Sequence, residues 1–275
     1  DNCMENPKIS IIMGIYNCAS TLDAAIESIL SQTYKDWEFI MCDDASADDT
    51  YKIAKSYEEK YPDKFMVIKN ECNLGLNKTL NKCLKMARGE YIARMDGDDI
   101  SLPDRFEKEV RILDLHPEYA IVSSPMIYFD ENGDWGRSTT IERPQTDDFC
   151  KHAPFFCHAA CMIRKSAYDD VGGYTEDKRL LRVEDCNLWY KLYAKGYRGY
   201  NLQQPLYKMR DDRNAAVRRT VQARLNGIYV TWLGYKMIKM PILKYRYAIR
   251  TTILELVKII MPSMVYEYVH KRSLR

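Results

Sequence analysis

The chain reads as an α/β protein built on a doubly wound, mostly parallel sheet with a helical C-terminal appendage. Three observations predict this. Short apolar runs alternate with longer helical patterns four times before residue 96, as crossover-connected parallel strands require. The runs are nearly continuously apolar, as strands buried on both faces are. Acidic clusters follow two of them, at Asp43-Asp44 and at Asp96 to Asp99, where the ligand loops of such sheets lie.

Lys8 to Met13 is the first strand, broken by Gly14-Ile15-Tyr16-Asn17. Ser20 is expected to cap the next helix, with Asp23 at its third position and Leu22, Ala25, Ile26, Ile29 and Leu30 on one face. Glu38 to Cys42 is the second strand, and a helix through Tyr51, Ile53, Ala54 and Tyr57 follows. Phe65 to Lys69 is the third strand and Leu74 to Ala87 the third helix; after an Arg88-Gly89-Glu90 turn, Tyr91 leads into the fourth strand. Pro103 suits the first turn of a helix to about His116, with Phe106, Val110 and Leu113 inward. Ala120 to Phe129 reads as a strand bent at Pro125, turned back by Glu131 to Asp134. Residues 137–154 show no period and read as a loop long enough to cover a substrate. Ala159 to Arg164 is a short strand and Gly172-Gly173-Tyr174 a tight turn. Glu184-Asp185 opens a helix with Leu188, Trp189, Leu192 and Tyr193 on one face, and Gly196 stops it.

At 275 residues the chain fits one domain over 1–208, with halves at about 8–99 and 100–208, and a basic helical region over 209–275. The net charge of +2 hides an asymmetry: Tyr235 to Arg275 carries nine Lys/Arg against two Asp/Glu, leaving the rest acidic. No recognition motif accompanies the basic residues, so a nucleic-acid partner is not expected. The nine cysteines are odd in number and scattered, which suits reduced thiols in the cytoplasm. No signal pattern or spanning apolar run is evident in the sequence.

The acids around Gly97 repel one another unless a positive charge sits among them. A hard divalent cation, Mg²⁺ or Mn²⁺, suits carboxylate oxygens and completes its shell with substrate phosphates. The plainer reading is a polar turn with an Asx-type bend.

The residues Ile9 to Asn17, Cys42-Asp43-Asp44-Ala45-Ser46, Asn73-Leu74-Gly75, Asp96-Gly97-Asp98-Asp99, Gly172-Gly173-Tyr174 and Glu184-Asp185 together resemble glycosyltransferase family 2, the inverting GT-A enzymes of bacterial surface-polysaccharide synthesis. The resemblance covers roughly residues 8 to 208 and departs at Ala45, where many members have Gly. It implies a GT-A fold, a nucleotide-sugar donor, most simply a UDP-sugar, a glycan or lipid-linked acceptor, and Mn²⁺ or Mg²⁺.

Carried over by motif, Ile15, Tyr16, Asn17 and Asn73 would hold the nucleotide, and Asp43 would accept the imino N–H of the base. Asp96 would face the ribose or the metal, Asp98 would ligate the metal, and Asp99 would reach the donor sugar, as would Glu184. For Arg94 two readings stand: a cation beside the diphosphate, or a partner of these acids. For His158 two readings stand: a contact with the metal or phosphates, or a structural hydrogen bond. Asp185 is expected to be the base that deprotonates the acceptor.

In the tail, Ile242, Ile249, Ile253, Leu256 and Ile260 form a helical stripe beside Lys244, Arg246, Arg250 and Lys258; Pro262 breaks it, and Val265, Tyr266 and Val269 resume it before His270-Lys271-Arg272. Three outcomes fit this stripe: peripheral contact with the inner face of the plasma membrane, packing on the enzyme body, or pairing as a homo-oligomer. Two other functions share parts of the pattern. A sugar-nucleotide nucleotidyltransferase would want a Gly-rich phosphate loop after the first strand, which Gly14-Ile15-Tyr16-Asn17 lacks. A non-catalytic nucleotide-binding subunit of a membrane complex would have no need of Glu184-Asp185.

Overall fold

The computed structural model describes residues 6–151, 155–211 and 220–260. Its first half is a run of β/α units: β1 (Ile9–Ile15), α1 (Leu22–Leu30), β2 (Trp37–Asp43), α2 (Thr50–Lys60), β3 (Phe65–Lys69), α3 (Leu76–Met86) and β4 (Tyr91–Arg94). β1 pairs in parallel with β2 and β4, and β2 with β3. Side chains on the two faces of these strands enter different cores. Ile11, Met13, Phe39 and Met41 pack with Ile26, Ala54 and Phe106, while Ile12, Ile40 and Cys42 pack with Leu80 and Trp189. Burial on both faces explains why the strands read as unbroken apolar runs.

The second half continues through β5 (Ile100–Ser101), α4 (Arg105–Leu115), β6 (Ile121–Ser123), β7 (Met126–Asp130), β8 (Gly133–Arg137), β9 (Met162–Arg164) and α5 (Lys165–Val171). It then runs through α6 (Glu184–Ala194), β10 (Gly199–Asn201), β11 (Tyr207–Arg210), α7 (Val221–Met237) and α8 (Tyr245–Ile260). The large sheet has the order β10-β6-β9-β4-β1-β2-β3. It is parallel except for β9, which runs antiparallel to both β4 and β6. A small sheet, β5-β11-β7-β8, stands beside it.

Several expectations need correction. Ser20 does not cap α1; Thr21 holds the N-cap position without a side-chain cap. Its hydroxyl is spent donating to the carbonyls of Cys18 and Gly97, so it ties the helix start to the acidic loop. The strand expected over Ala120–Phe129 is two strands: at Pro125 the chain leaves the large sheet and enters the small one. The small sheet itself was not anticipated. Within residues 137–154, β8 ends at Arg137 and a short 3-10 turn spans Thr146–Cys150; Pro154 lies outside the described residues. The described cysteines are all free thiols, as expected.

The C-terminal helices dock on α6. Tyr190 of α6 packs with Val230, Tyr235, Met240 and Ala248, and α7 comes so close that a Cβ on Gly234 would stand 2.2 Å from the Tyr190 ring. Only Ala248 of α8 is buried. The stripe of Ile249, Ile253, Leu256 and Ile260 is exposed, so it does not pack on the body. Its continuation past Pro262 lies outside the described residues.

Candidate active site

The loops after β1, β2 and β4 meet at one edge of the large sheet. The first two are stitched together: the Asn17 amide donates to Ser46 Oγ at 3.0 Å, and the Ala47 amide donates to Asn17 Oδ1 at 2.8 Å. Tyr16 beside them is about half exposed. Asp43, the last residue of β2, is fully buried; its Oδ2 accepts the Ser46 amide, while its Oδ1 has no partner. A buried carboxylate oxygen without a partner is costly. It is satisfied when a ligand brings an N–H donor. Asp44 turns the other way and accepts the amides of Leu74 and Gly75, which anchors the loop carrying exposed Asn73.

Ala45 adopts φ = +61°. This left-handed conformation costs a residue with a Cβ about 1–2 kcal/mol, which explains glycine's place there in similar loops. Ala45→Gly is therefore expected to raise stability by up to about 1 kcal/mol, part of the relief being offset by glycine's larger unfolded-state entropy. Urea denaturation checks this, and a loss of stability would refute it.

The four residues after Met95 differ in burial and in partners. Arg94 is buried and its Nη2 lies 2.7 Å from Asp96 Oδ1, so it partners an acid from behind the loop. Gly97 is required because Cys18 Sγ would lie 2.8 Å from a Cβ there. Asp99 is buried and accepts the Arg210 amide at 2.8 Å. Burial, then the charges of Asp96 and Asp98, push its carboxyl up to about 8. Asp99 thus fastens β11 to the loop and is turned away from open solvent. Asp98 is the exposed carboxylate. The protein packed around it, followed by the Asp96 charge, raises it above the usual carboxylate range. Two residues that sequence reasoning missed complete the loop. The buried Tyr207 accepts the Asp96 amide at 3.1 Å and hydrogen-bonds Asp99. Exposed Arg210 donates from Nε to the Asp98 carbonyl at 3.2 Å and adds positive charge beside the acids. No pattern in the sequence pointed to either.

His158 does not join the acids. Its Nε2 is 2.7 Å from the Tyr174 hydroxyl, which in turn meets the Tyr168 hydroxyl at 2.9 Å. Burial and the nearby Arg94 charge hold the imidazole well below its usual pKa, so it is neutral. Among the described residues no three His, Cys, Asp or Glu side chains form a ready-made metal cage. What remains is a pair of hard carboxylates, Asp96 and Asp98, the second crowded by like charge. Such a pair suits a divalent cation that takes its remaining ligands from a substrate.

Glu184 and Asp185 open α6. Glu184 is held above the usual carboxylate range by burial and by Asp185, and it lies within the field of Arg94. Its Oε2 is buried without a partner. Asp185 is half-buried, with Oδ1 accepting the Cys186 amide at 2.8 Å. It lines a cavity of about 920 Å³ whose wall includes Phe149, Trp189 and Tyr190 on one side and Arg224, Thr251 and Glu255 of α7 and α8 on the other. Arg182, at φ = +70°, stands at the same cavity.

Residues 10–172 match the model of the family described as Glycosyl transferase family 2. The chain belongs to glycosyltransferase family 2. Relatives agree with that assignment. A Bacillus subtilis (strain 168) protein named "Putative glycosyltransferase EpsE" is 43% identical over 97% of this chain and 94% of its own length. An Escherichia coli relative, "UDP-Glc:alpha-D-GlcNAc-diphosphoundecaprenol beta-1,3-glucosyltransferase WfaP", is 30% identical over 70% of this chain and 73% of its own. Among solved structures, the mannosyltransferase PcManGT from Pyrobaculum calidifontis, in complex with GDP-Man and Mn²⁺, superposes with a TM-score of 0.65. It is 18% identical, and the match covers 98% of this chain and 81% of that one. The family 2 chain therefore has the GT-A fold and is a glycosyltransferase.

Proposed function

We propose that the chain is an inverting, metal-dependent transferase that moves one sugar from a nucleotide-diphosphate donor, most simply a UDP-sugar, to a lipid-linked glycan acceptor in surface-polysaccharide synthesis. One observation carries the reading: adjacent carboxylates at the start of α6 lie between the acidic loop and an open cavity, Glu184 in the field of Arg94 and Asp185 on the cavity wall. Donor chemistry belongs to the loop side and acceptor chemistry to the cavity side. The WfaP name supports a UDP-sugar and a diphosphoundecaprenol-linked acceptor, and the Mn²⁺ complex of PcManGT supports a metal.

Asp43 Oδ1, buried and unpartnered, accepts the ring N–H of uracil. Asp98, with Asp96, would hold Mn²⁺ or Mg²⁺, which supplies positive charge to the departing diphosphate. Arg94 fixes Asp96, and Tyr207 and Asp99 hold the loop on which Asp98 sits. At the acceptor, Asp185 takes the hydroxyl proton. The freed oxygen bonds to the anomeric carbon while the bond from that carbon to the phosphate oxygen breaks, the electron pair leaving with the nucleoside diphosphate. A single displacement inverts the anomeric centre. Residues 1–208 carry this chemistry, and α7 and α8 from the 209–275 region flank the acceptor side.

A thermal-shift titration tests the donor site. UDP with Mn²⁺ is expected to raise the midpoint, by an amount that grows with the excess of ligand over its Kd. Asp43→Asn, which offers a donor where an acceptor is needed, is expected to weaken UDP at least about tenfold. A shift with GDP and none with UDP would replace the base assignment, and no metal-dependent shift with any nucleotide would overturn the donor site.

A further inference from the structure

The outer face of the C-terminal helix pair is built unlike the rest of the surface. Ile249, Ile253, Leu256, Val257 and Ile260 of α8 are exposed, Ile260 by 82%, and Ile242 and Leu243 just before the helix by 83% and 81%. Helical spacing places the five α8 residues on one side. Thr251 and Glu255, which line the cavity, fall on nearly the opposite side. Trp232 of α7 extends the patch: it is exposed, donates from Nε1 to Thr252 Oγ1 at 2.9 Å and packs against Tyr245. Val221 and Leu225 lie on the same exposed face of α7. Exposed Arg250 borders the stripe and exposed Arg246 stands at its N-terminal end, and residues 242–260 carry four basic side chains against one acidic.

We infer that this face docks on the surface of an anionic lipid bilayer, with α8 lying in the headgroup plane. Three features select that occupant. The apolar stripe is one helix face wide with arginines on its border, the arrangement that buries aliphatic side chains at the acyl boundary and leaves cations at lipid phosphates. A second copy of the chain would set the arginines of one face against those of the other, which electrostatics opposes. The position also serves the reaction. With the stripe toward the bilayer, α8 alone, about 10–12 Å across, separates the membrane from the cavity that Asp185 lines. An acceptor anchored in the bilayer then meets the base without leaving its lipid. This last point rests on the lipid-linked acceptor proposed above; the docking itself does not.

Vesicle co-flotation of the full chain, without nucleotide or acceptor, tests it. The chain is expected to float with vesicles of phosphatidylcholine and phosphatidylglycerol, to float poorly with phosphatidylcholine alone, and to be released by high salt. Ile253→Asp/Leu256→Asp and Arg246→Glu/Arg250→Glu are each expected to weaken binding about tenfold or more. Both pairs are exposed, so thermal midpoints should hold. Loss of binding only in a chain cut after Ile260, with the α8 variants unchanged, would overturn the assignment to this face. So would a dimer in light scattering that Ile253→Asp/Leu256→Asp breaks while vesicles remain unbound. Normal flotation with no transfer to any lipid-linked acceptor would leave the docking standing and sink the acceptor reading.

Discussion

An Asp185→Asn chain is expected to retain its nucleotide-dependent thermal stabilisation and to lose about 10²–10⁴-fold in sugar transfer, the usual contribution of a positioned general base. Asparagine keeps the size of the side chain and the acceptor oxygen for the Cys186 amide, so the start of α6 should survive. What it removes is the ability to take a proton. A helix N-terminus favours a carboxylate there, and Glu184 beside it is held above the usual carboxylate range by burial and by the Asp185 charge. Transfer assays with saturating donor would read the loss in kcat. A variant with more than a tenth of the parental rate would remove Asp185 from the base's role.

The largest stability effect is expected beneath the acidic loop, where Arg105 and Glu109 are both fully buried and paired at 3.1 Å on α4. Arg105 also donates from Nη2 to the carbonyls of Arg94 and Cys161 and lies against the Tyr207 ring. Burial pushes the Glu109 carboxyl up against the pull of Arg105. Arg105→Met leaves that acid without its cation and is expected to cost about 3–5 kcal/mol. Adding Glu109→Leu removes the stranded charge, so the double variant should recover most of the loss. Chemical denaturation of the two single variants and the double variant gives the coupling directly. If the double variant were as unstable as Arg105→Met, the carbonyl contacts and not the ion pair would be responsible.

The parts of the fold that were legible share one property. β1 to β4 are packed on both faces, so their sequences are nearly continuously apolar and their helices follow in order. The small sheet has no such mark. β8 reads Gly-Asp-Trp-Gly-Arg, and only the turn that joins it to β7 marks it locally; β5 is two residues long and β11 reads Tyr-Lys-Met-Arg, and the partners of these two lie far away in sequence. The same divide runs through the site. The acids were visible as a cluster, but their duties depend on what arrives from elsewhere. Asp99 stands among motif residues, which gave no sign that it would also accept the Arg210 amide. Of the two readings of His158, the structure shows a hydrogen bond with the Tyr174 hydroxyl. Of the two readings of Arg94, the structure shows the partner of Asp96.

The bonds from Asp96 to Tyr207 and from Asp99 to Arg210 each join residues 111 positions apart. On a ribosome the acidic loop is made early, yet the residues that fasten it emerge only after most of the chain has been synthesised. Until then the loop has only its ties within the first half, from Thr21 to Gly97 and from Arg94 to Asp96. On the proposed function, the donor side is therefore complete only once the second half of the chain has joined the first.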